Sequence, residues 1–166
     1  MPTRVQFSTP GGRMRARRVS IASMKSIREI LTGQKPVTIS PTINVIEAAK
    51  LMKEARVGAL LVKDDETGAL GVFSERDLMT RVVVPGLDPE QTTVRSVMTS
   101  EIFSASPDRR INDVAVEMQD RHIRHLPVIE DGVVVAMLSL RDLLRAHIAI
   151  KRSEVQELKS YIQGEG

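Results

Sequence analysis

The chain of 166 residues contains no cysteine, which excludes disulfide bonds, thiolate nucleophiles and zinc sites built on cysteine. Aromatic residues make up only 2% of the sequence, whereas binding of single-stranded nucleic acid by stacking needs several aromatic faces. No apolar run approaches the ~20 residues that a membrane-spanning helix requires. We therefore expect a cytoplasmic protein with no membrane span.

Acidic residues are missing from the first 28 positions, where seven of the 24 basic residues lie. The rest of the chain carries 17 basic against 21 acidic residues, so the pI of about 9.5 comes from the N-terminal segment. Residues 1–24 lack periodicity and contain Pro10-Gly11-Gly12, which favours a flexible basic arm. Two alternatives stay open for this arm: contact with nucleic acid or another partner, and organelle targeting.

Catalytic signatures are also missing from the sequence. It has no glycine-rich phosphate loop, no G-x-S-x-G and no H-E-x-x-H, and nothing pairs a nucleophile with a base. His122 and His125 are three residues apart, but Pro127 and an apolar strand follow, so a helical metal site is not expected. We predict no catalytic residue and no metal site; enzymatic turnover of a bound ligand stays as a third hypothesis.

The chain does contain an internal repeat. The segments that begin at Ser40 and Ser106 match at an offset of 66 residues, and S-x-R-D-L recurs at Ser74 and Ser139 at an offset of 65. Each copy has apolar residues at i, i+3, i+4 and i+7, then two apolar strands around a turn, then a helix. The pattern predicts an α/β (α+β) fold in which two β-α-β-β-α repeats pack with pseudo-two-fold symmetry.

The predicted segments follow from this repeat. A capping box at Ser26 and Glu29 predicts a short helix before the first repeat, and a further short helix is predicted at residues 93–98. Met52 and Met118, on the apolar helix faces, are predicted to fill the core. The predicted division is an arm at 1–24, repeat 1 at 25–84, a linker at 85–93, repeat 2 at 94–146 and a helical extension at 147–166.

The strand–helix junction of each copy carries polar residues suited to an anionic ligand. Free N–H groups at a helix start bind anions, and a carboxylate one turn later can accept hydrogen bonds from the vicinal hydroxyls of a ribose. Arginine can bind phosphate. Helix capping by serine and aspartate explains part of the pattern without any ligand. The candidate residues are Ser74, Arg76 and Asp77 in the first copy and Ser139, Arg141 and Asp142 in the second.

The chain resembles a tandem pair of cystathionine-β-synthase (CBS) domains, known as a Bateman module. The resemblance rests on the duplicated S-P-x…A-x-x-M helices, H-L-P-V at 125–128, V-x-x-V-M-T at 94–99 and the two S-x-R-D-L junctions, and it covers about residues 26–146. It implies a non-enzymatic regulatory module that binds AMP, ADP, ATP or NAD between the repeats, with no required cofactor. It also implies that the junction aspartates hold the ribose, with the serines beside them.

The two copies differ in charge at the strand that follows the amphipathic helix of each copy. Arg124-His125-Leu126-Pro127 resembles the H-R-L-P stretch of the gamma subunit of AMP-activated protein kinase, with the basic residues in swapped order. That resemblance implies that Arg124 and His125 reach the phosphates of a nucleotide held by Asp77. The first copy has Gly58-Ala59 at this position, so we expect the cleft of Asp142 to be empty, weaker or specific for a nucleoside.

The last helix is predicted to run past the end of its repeat. Its apolar residues follow helical spacing to Ile162, and the excess surface predicts self-association or a partner protein. Isolated modules of the resembled family commonly pair, so a homodimer is expected, with an unknown effector protein. The alternative function is a protein- or nucleic-acid-interaction module that acts through the basic arm, with purely structural clefts.

Overall fold

The computed structural model describes residues 26–31, 33, 35–66, 68 and 70–163. The predicted N-terminal arm at 1–24 lies outside the described residues. The strands are β1 (Thr38–Ile39), β2 (Ala59–Lys63), β3 (Leu70–Ser74), β4 (His125–Glu130) and β5 (Val133–Ser139). The helices are a 3₁₀ helix (Ile27–Ile30), α1 (Val45–Ala55), α2 (Glu75–Asp77), α3 (Val94–Val97), α4 (Ile111–Asp120) and α5 (Leu140–Gln163). The predicted mixed α/β architecture is confirmed.

The equivalent helices α1 and α4 pack through the predicted apolar faces. Each begins at a residue in extended conformation, and the side chain of Asn44 caps α1 by accepting from the backbone N–H of Glu47 at 2.9 Å. Met52 and Met118 are both buried in the hydrophobic core, as predicted. The periodicity places the helices correctly because one stripe of each is removed from water.

Each repeat forms one small sheet. In the first, β1 pairs parallel with β2, and β2 pairs antiparallel with β3; in the second, β4 pairs antiparallel with β5. The expected first strand of the second repeat is reduced to one parallel bridge, Ala105 to Val128. In the first repeat the Leu61 N–H donates to Val37 at 2.9 Å. The equivalent residue in the second repeat is Pro127, which has no N–H, so that bond cannot form.

The core of each repeat is completed by the first segment of the other repeat. Ile27, in the 3₁₀ helix, is fully buried in the core of the second repeat, and its N–H donates to Arg109 at 2.9 Å. Val94, at the start of α3, is fully buried in the core of the first repeat, and its N–H donates to Ile43 at 2.9 Å. The first segment of each repeat therefore belongs to the hydrophobic core of the other repeat.

The helix that opens at Ser74 changes its bonding pattern after one turn. After α2 the helix continues as a π-helical stretch, Leu78–Val83. At its end the N–H of Val84 donates to the carbonyl of Met79, five residues earlier, at 2.9 Å. Its equivalent α5 runs unbroken for 24 residues. None of the helices in the described part of the chain is long and apolar enough to cross a membrane.

Candidate functional site

A cavity of about 350 Å³ opens where the two repeats meet. Its size falls in the range of small-molecule sites, about 300–1,000 Å³. The first repeat contributes the β3–α2 junction, and the second contributes the turn and strand that follow α4. The polar lining residues are Ser74, Glu75, Arg76, Asp77, Arg81, Thr99, Glu101, Arg121, His122, Arg124 and His125.

Asp77 is held firmly in the first turn of the helix that Ser74 caps. Its Oδ2 atom accepts hydrogen bonds from the Ser74 backbone N–H at 2.9 Å and from the Ser74 hydroxyl at 2.6 Å. Ser74 ends β3 in extended conformation and caps the helix, so the predicted capping box is present. Asp77 is buried, and a buried carboxylate with fixed hydrogen bonds presents its second oxygen in one orientation.

Arg81 contacts that second oxygen, and the sequence reasoning missed it. Its Nε atom lies 3.5 Å from Oδ1 of Asp77. One terminal nitrogen, Nη1, also donates to the carbonyls of Val97 and Met98, at 2.9 and 2.8 Å. Arg81 thus connects Asp77 to the segment that enters the second repeat. The available signal was a basic residue four positions after an acidic one, which places both on the same side of a helix.

Arg76 bridges the two repeats across the cavity. Its Nη1 atom donates to the carbonyl of His122 at 2.9 Å. His122 has a positive φ of 54°, which turns the chain between α4 and β4. A guanidinium carries five N–H donors, so this bond leaves donors that an anion in the cavity could engage.

Arg124 and His125 line the cavity from the second repeat. The carbonyl of Arg124 accepts from the Leu140 N–H at 2.9 Å, just as that of Gly58 accepts from the Glu75 N–H at 3.0 Å. Gly58 and Arg124 are therefore equivalent positions of the two repeats. The Arg124 side chain is exposed, so its charge is available to a ligand in the cavity.

The His125 ring packs against Gly58. A Cβ atom at Gly58 would lie 3.0 Å from both Cε1 and Nε2 of His125 and 3.3 Å from Oε2 of Glu75. The missing side chain thus makes room for the imidazole between the repeats. Burial lowers the pKa of His125 below its usual 6.5, although Glu75 and Asp142 act in the opposite direction. The ring is therefore neutral at pH 7 and offers a hydrogen bond rather than a charge.

The second junction repeats the capping geometry of the first. Asp142 Oδ2 accepts from the Ser139 backbone N–H at 3.0 Å and from the Ser139 hydroxyl at 2.5 Å. Ser139, Arg141 and Asp142 are not among the residues that line the 350 Å³ cavity. The structure thus brings five of the eight predicted residues together, namely Ser74, Arg76, Asp77, Arg124 and His125, and keeps the other three at the equivalent junction.

Other lining residues, among them Arg121 and Phe103, were not anticipated from the sequence. The guanidinium of Arg121 lies 4.5 Å from the centre of the Phe103 ring, a cation–π geometry. The ring, together with Ile102 and Ile123, gives the cavity an apolar wall. The only feature of the sequence that sets Phe103 apart is that the chain has just three phenylalanines. The cavity therefore combines a fixed carboxylate, several arginines and an apolar surface.

Comparison with known proteins agrees with this architecture. The CBS domain model matches the chain twice, at residues 27–84 and 94–149. The mitochondrial CBS domain-containing protein CBSX3 of Arabidopsis thaliana is 38% identical over 124 residues, which are 72% of this chain and 60% of that protein. The chain therefore spans less than two thirds of the length of that relative.

Solved structures show the same fold. The CBS-domain containing protein ATU1752 from Agrobacterium tumefaciens superposes with a TM-score of 0.70 at 28% identity, over 75% of this chain and 96% of that one. The CBS domain pair of protein MJ0100, solved in complex with 5′-methylthioadenosine and S-adenosyl-L-methionine, gives a TM-score of 0.63 at 25% identity, over 72% and 97%. With two matched domains, a duplicated fold and a shared cleft, the chain belongs to the CBS-domain family as a tandem pair.

Proposed function

We propose that the chain is a non-enzymatic regulatory module that binds an adenosine nucleotide, AMP, ADP, ATP or NAD, in the cavity between its repeats. One observation carries the proposal: the buried Asp77, fixed by Ser74 at a helix start, shares a cavity of about 350 Å³ with Arg124 of the other repeat. The carboxylate suits the ribose hydroxyls of a nucleotide, and the cation on the other repeat suits its phosphates.

Asp77 would hold the ribose. Its Oδ2 atom is occupied by Ser74, so Oδ1 is the oxygen that vicinal hydroxyls would reach. Arg81 lies 3.5 Å from Oδ1, which is longer than a good charged hydrogen bond. A ribose hydroxyl could therefore join Arg81 at Oδ1 without breaking a short contact.

Arg124 and Arg76 would bind the phosphates, and the neutral His125 would donate a hydrogen bond to them. The apolar wall of Phe103, Ile102 and Ile123 would face the base. The relative MJ0100, crystallised with two adenosine-containing sulfur compounds, supports the adenosine part of this proposal.

Ser139, Arg141 and Asp142 would form a second, weaker site. Their capping geometry matches that of the first junction. The position equivalent to Arg124 is Gly58, which brings no charge. A ligand held by Asp142 would therefore gain nothing from this position at its phosphates, which favours a nucleoside or an empty cleft.

A bound ligand would shift the two repeats relative to each other, and an effector protein would read that shift. Arg76 and Arg81 already connect the repeats at the cavity edge, so a ligand that engages them has different affinities for different arrangements. Such a difference is what allows binding to change a conformational equilibrium. We propose that the working form is a homodimer in the cytoplasm. Comparing the cellular location of a fluorescent fusion of residues 1–166 with that of a fusion of residues 25–166 would reveal targeting by the arm.

Calorimetry with adenosine, AMP, ADP, ATP, NAD and S-adenosyl-L-methionine tests the proposal. Asp77→Asn keeps the size of the side chain and removes the charge that a ribose would use. We expect binding to weaken by about 1–3 kcal/mol, or about 5–150-fold in Kd. The control is Asp113→Asn, an exposed aspartate on α4, which should bind like the wild type.

Two outcomes would reject the site. Unchanged affinity in Asp77→Asn, with thermal unfolding like that of the wild type, would remove Asp77 from ligand binding. Absence of binding to any of these compounds by the intact protein, together with salt-dependent binding of polyanions that is lost when residues 1–24 are deleted, would favour the basic-arm function. Turnover of a bound nucleotide would instead indicate an enzyme.

A further inference from the structure

The outer face of α5 carries an exposed heptad pattern. Six positions follow one another at intervals of four, three, four, three and four residues: Leu144, Ile148, Lys151, Val155, Leu158 and Ile162. The five apolar side chains among them are between 43% and 74% exposed. The opposite side of the helix is already used, since Leu143 is buried and Ile150 packs against the core of the second repeat. The heptad face is thus an exposed apolar seam that no other part of the described chain covers.

The side-chain types in this seam match a two-stranded coiled coil. In heptad terms the a positions are the β-branched Ile148, Val155 and Ile162, and the d positions hold Leu144, Lys151 and Leu158. β-branched residues at a with leucine at d favour parallel dimers. The single lysine costs stability, but its Nζ atom lies 2.8 Å from Oε2 of Glu154, so its charge is paired at the edge of the seam.

The flanking charges decide between the two possible orientations of a second copy. The e positions are Arg145, Arg152 and Lys159, and the g positions are His147, Glu154 and Tyr161. An antiparallel pair that aligns the apolar seam would place like charges together: Arg152 against Arg152, Glu154 against Glu154 and Arg145 against Lys159. A parallel pair instead places Glu154 of each copy next to Lys159 of the other, because a g position faces the e position five residues later. It also brings the two Lys151 side chains to the same d layer, where the Glu154 of each chain offsets their repulsion.

We propose that residues 144–162 of α5 form a parallel, in-register, two-stranded coiled coil with a second copy of the chain. This inference goes beyond nucleotide binding, because it rests on the α5 seam alone. The seam spans fewer than three heptads, which would be marginal for an isolated peptide. Here the first turns of α5 are already fixed on the second repeat, so the helix needs no separate nucleation.

A cysteine at one end of the seam tests the orientation, because the natural chain has no cysteine. In a parallel pair Ile162 lies beside Ile162 of the second copy, so Ile162→Cys should give a disulfide-linked dimer under mild oxidation. Ser160→Cys, at an outward f position of the same helical turn, is the control and should stay largely monomeric on a non-reducing gel. In an antiparallel pair Ile162→Cys would link only to a Leu144→Cys chain, and that result would overturn the proposal.

Charge exchange gives an independent test in the protein without cysteine. Lys159→Glu replaces both Glu154–Lys159 contacts by like-charge contacts and should weaken dimerisation about 5–30-fold in sedimentation experiments. The double variant Glu154→Lys with Lys159→Glu should restore part of the loss, because the opposite charges then exchange places while Lys151 loses its Glu154 partner. A wild-type monomer, a dimer indifferent to Lys159→Glu, or a dimer in which Ile162→Cys does not cross-link would each overturn the proposal.

Discussion

Ile27→Ala tests whether the two repeats depend on each other for folding. Ile27 lies at the start of the first repeat, yet its side chain is fully buried in the core of the second. If the packing is as described, truncation should destabilise the second repeat and, because α3 in turn completes the first repeat, the whole module. The variant therefore probes the connection on which a ligand-induced shift between repeats would act.

The expected magnitude follows from the burial of the side chain. Isoleucine to alanine removes roughly three methylene equivalents, worth about 0.8 kcal/mol each when buried, and leaves a cavity that adds to the loss. We expect the free energy of unfolding to fall by about 2–5 kcal/mol. For a domain of this size a loss of about 3 kcal/mol lowers Tm by about 6–12 °C.

Urea unfolding followed by circular dichroism, with Val84→Ala as the control, makes the measurement. Val84 is 76% exposed, so its truncation should change stability by less than about 0.5 kcal/mol. Ile27→Ala should shift a single cooperative transition to lower urea. A loss as small as that of the control, or two separate transitions in the wild-type protein, would refute the reciprocal packing.

Two further predictions concern the cavity. Arg124→Ala should weaken nucleotide binding by about 1–2 kcal/mol, or about 5–30-fold, and leave adenosine binding nearly unchanged, because an exposed arginine would contact only the phosphates. Calorimetry with both ligands, and with Arg110→Ala as the control variant, measures this difference. Equal losses for both ligands would mean that Arg124 shapes the fold. Since the pKa of His125 is lowered by burial, the unfolded chain binds a proton more readily than the folded one below pH 6.5, so stability should fall as pH drops from 7 towards and below 6. His125→Asn should lose part of this pH dependence, while the exposed His122→Asn should keep it. Identical pH profiles in wild type and His125→Asn would contradict the half-buried, neutral imidazole.

The sequence by itself determined the repeat, the amphipathic helices and the two junctions. These features depend on residues that are close in the chain. Met52 and Met118 are buried because a helical period places them on an apolar face. The Ser74 hydroxyl reaches the Asp77 carboxylate because the first turn of a helix brings the N-cap residue and the residue three positions later together. The long α5 and its exposed seam were also predictable, since its apolar spacing continues beyond the repeat.

The tertiary structure alone decided which segments meet across the repeats. Ile27 packs into the second repeat, Arg81 reaches the carbonyls of Val97 and Met98, and the His125 ring fills the space left by Gly58. No local pattern encodes these pairs, because each joins residues far apart in sequence and depends on how two cores pack together. The cavity, whose walls come from both repeats, is set by that same long-range packing.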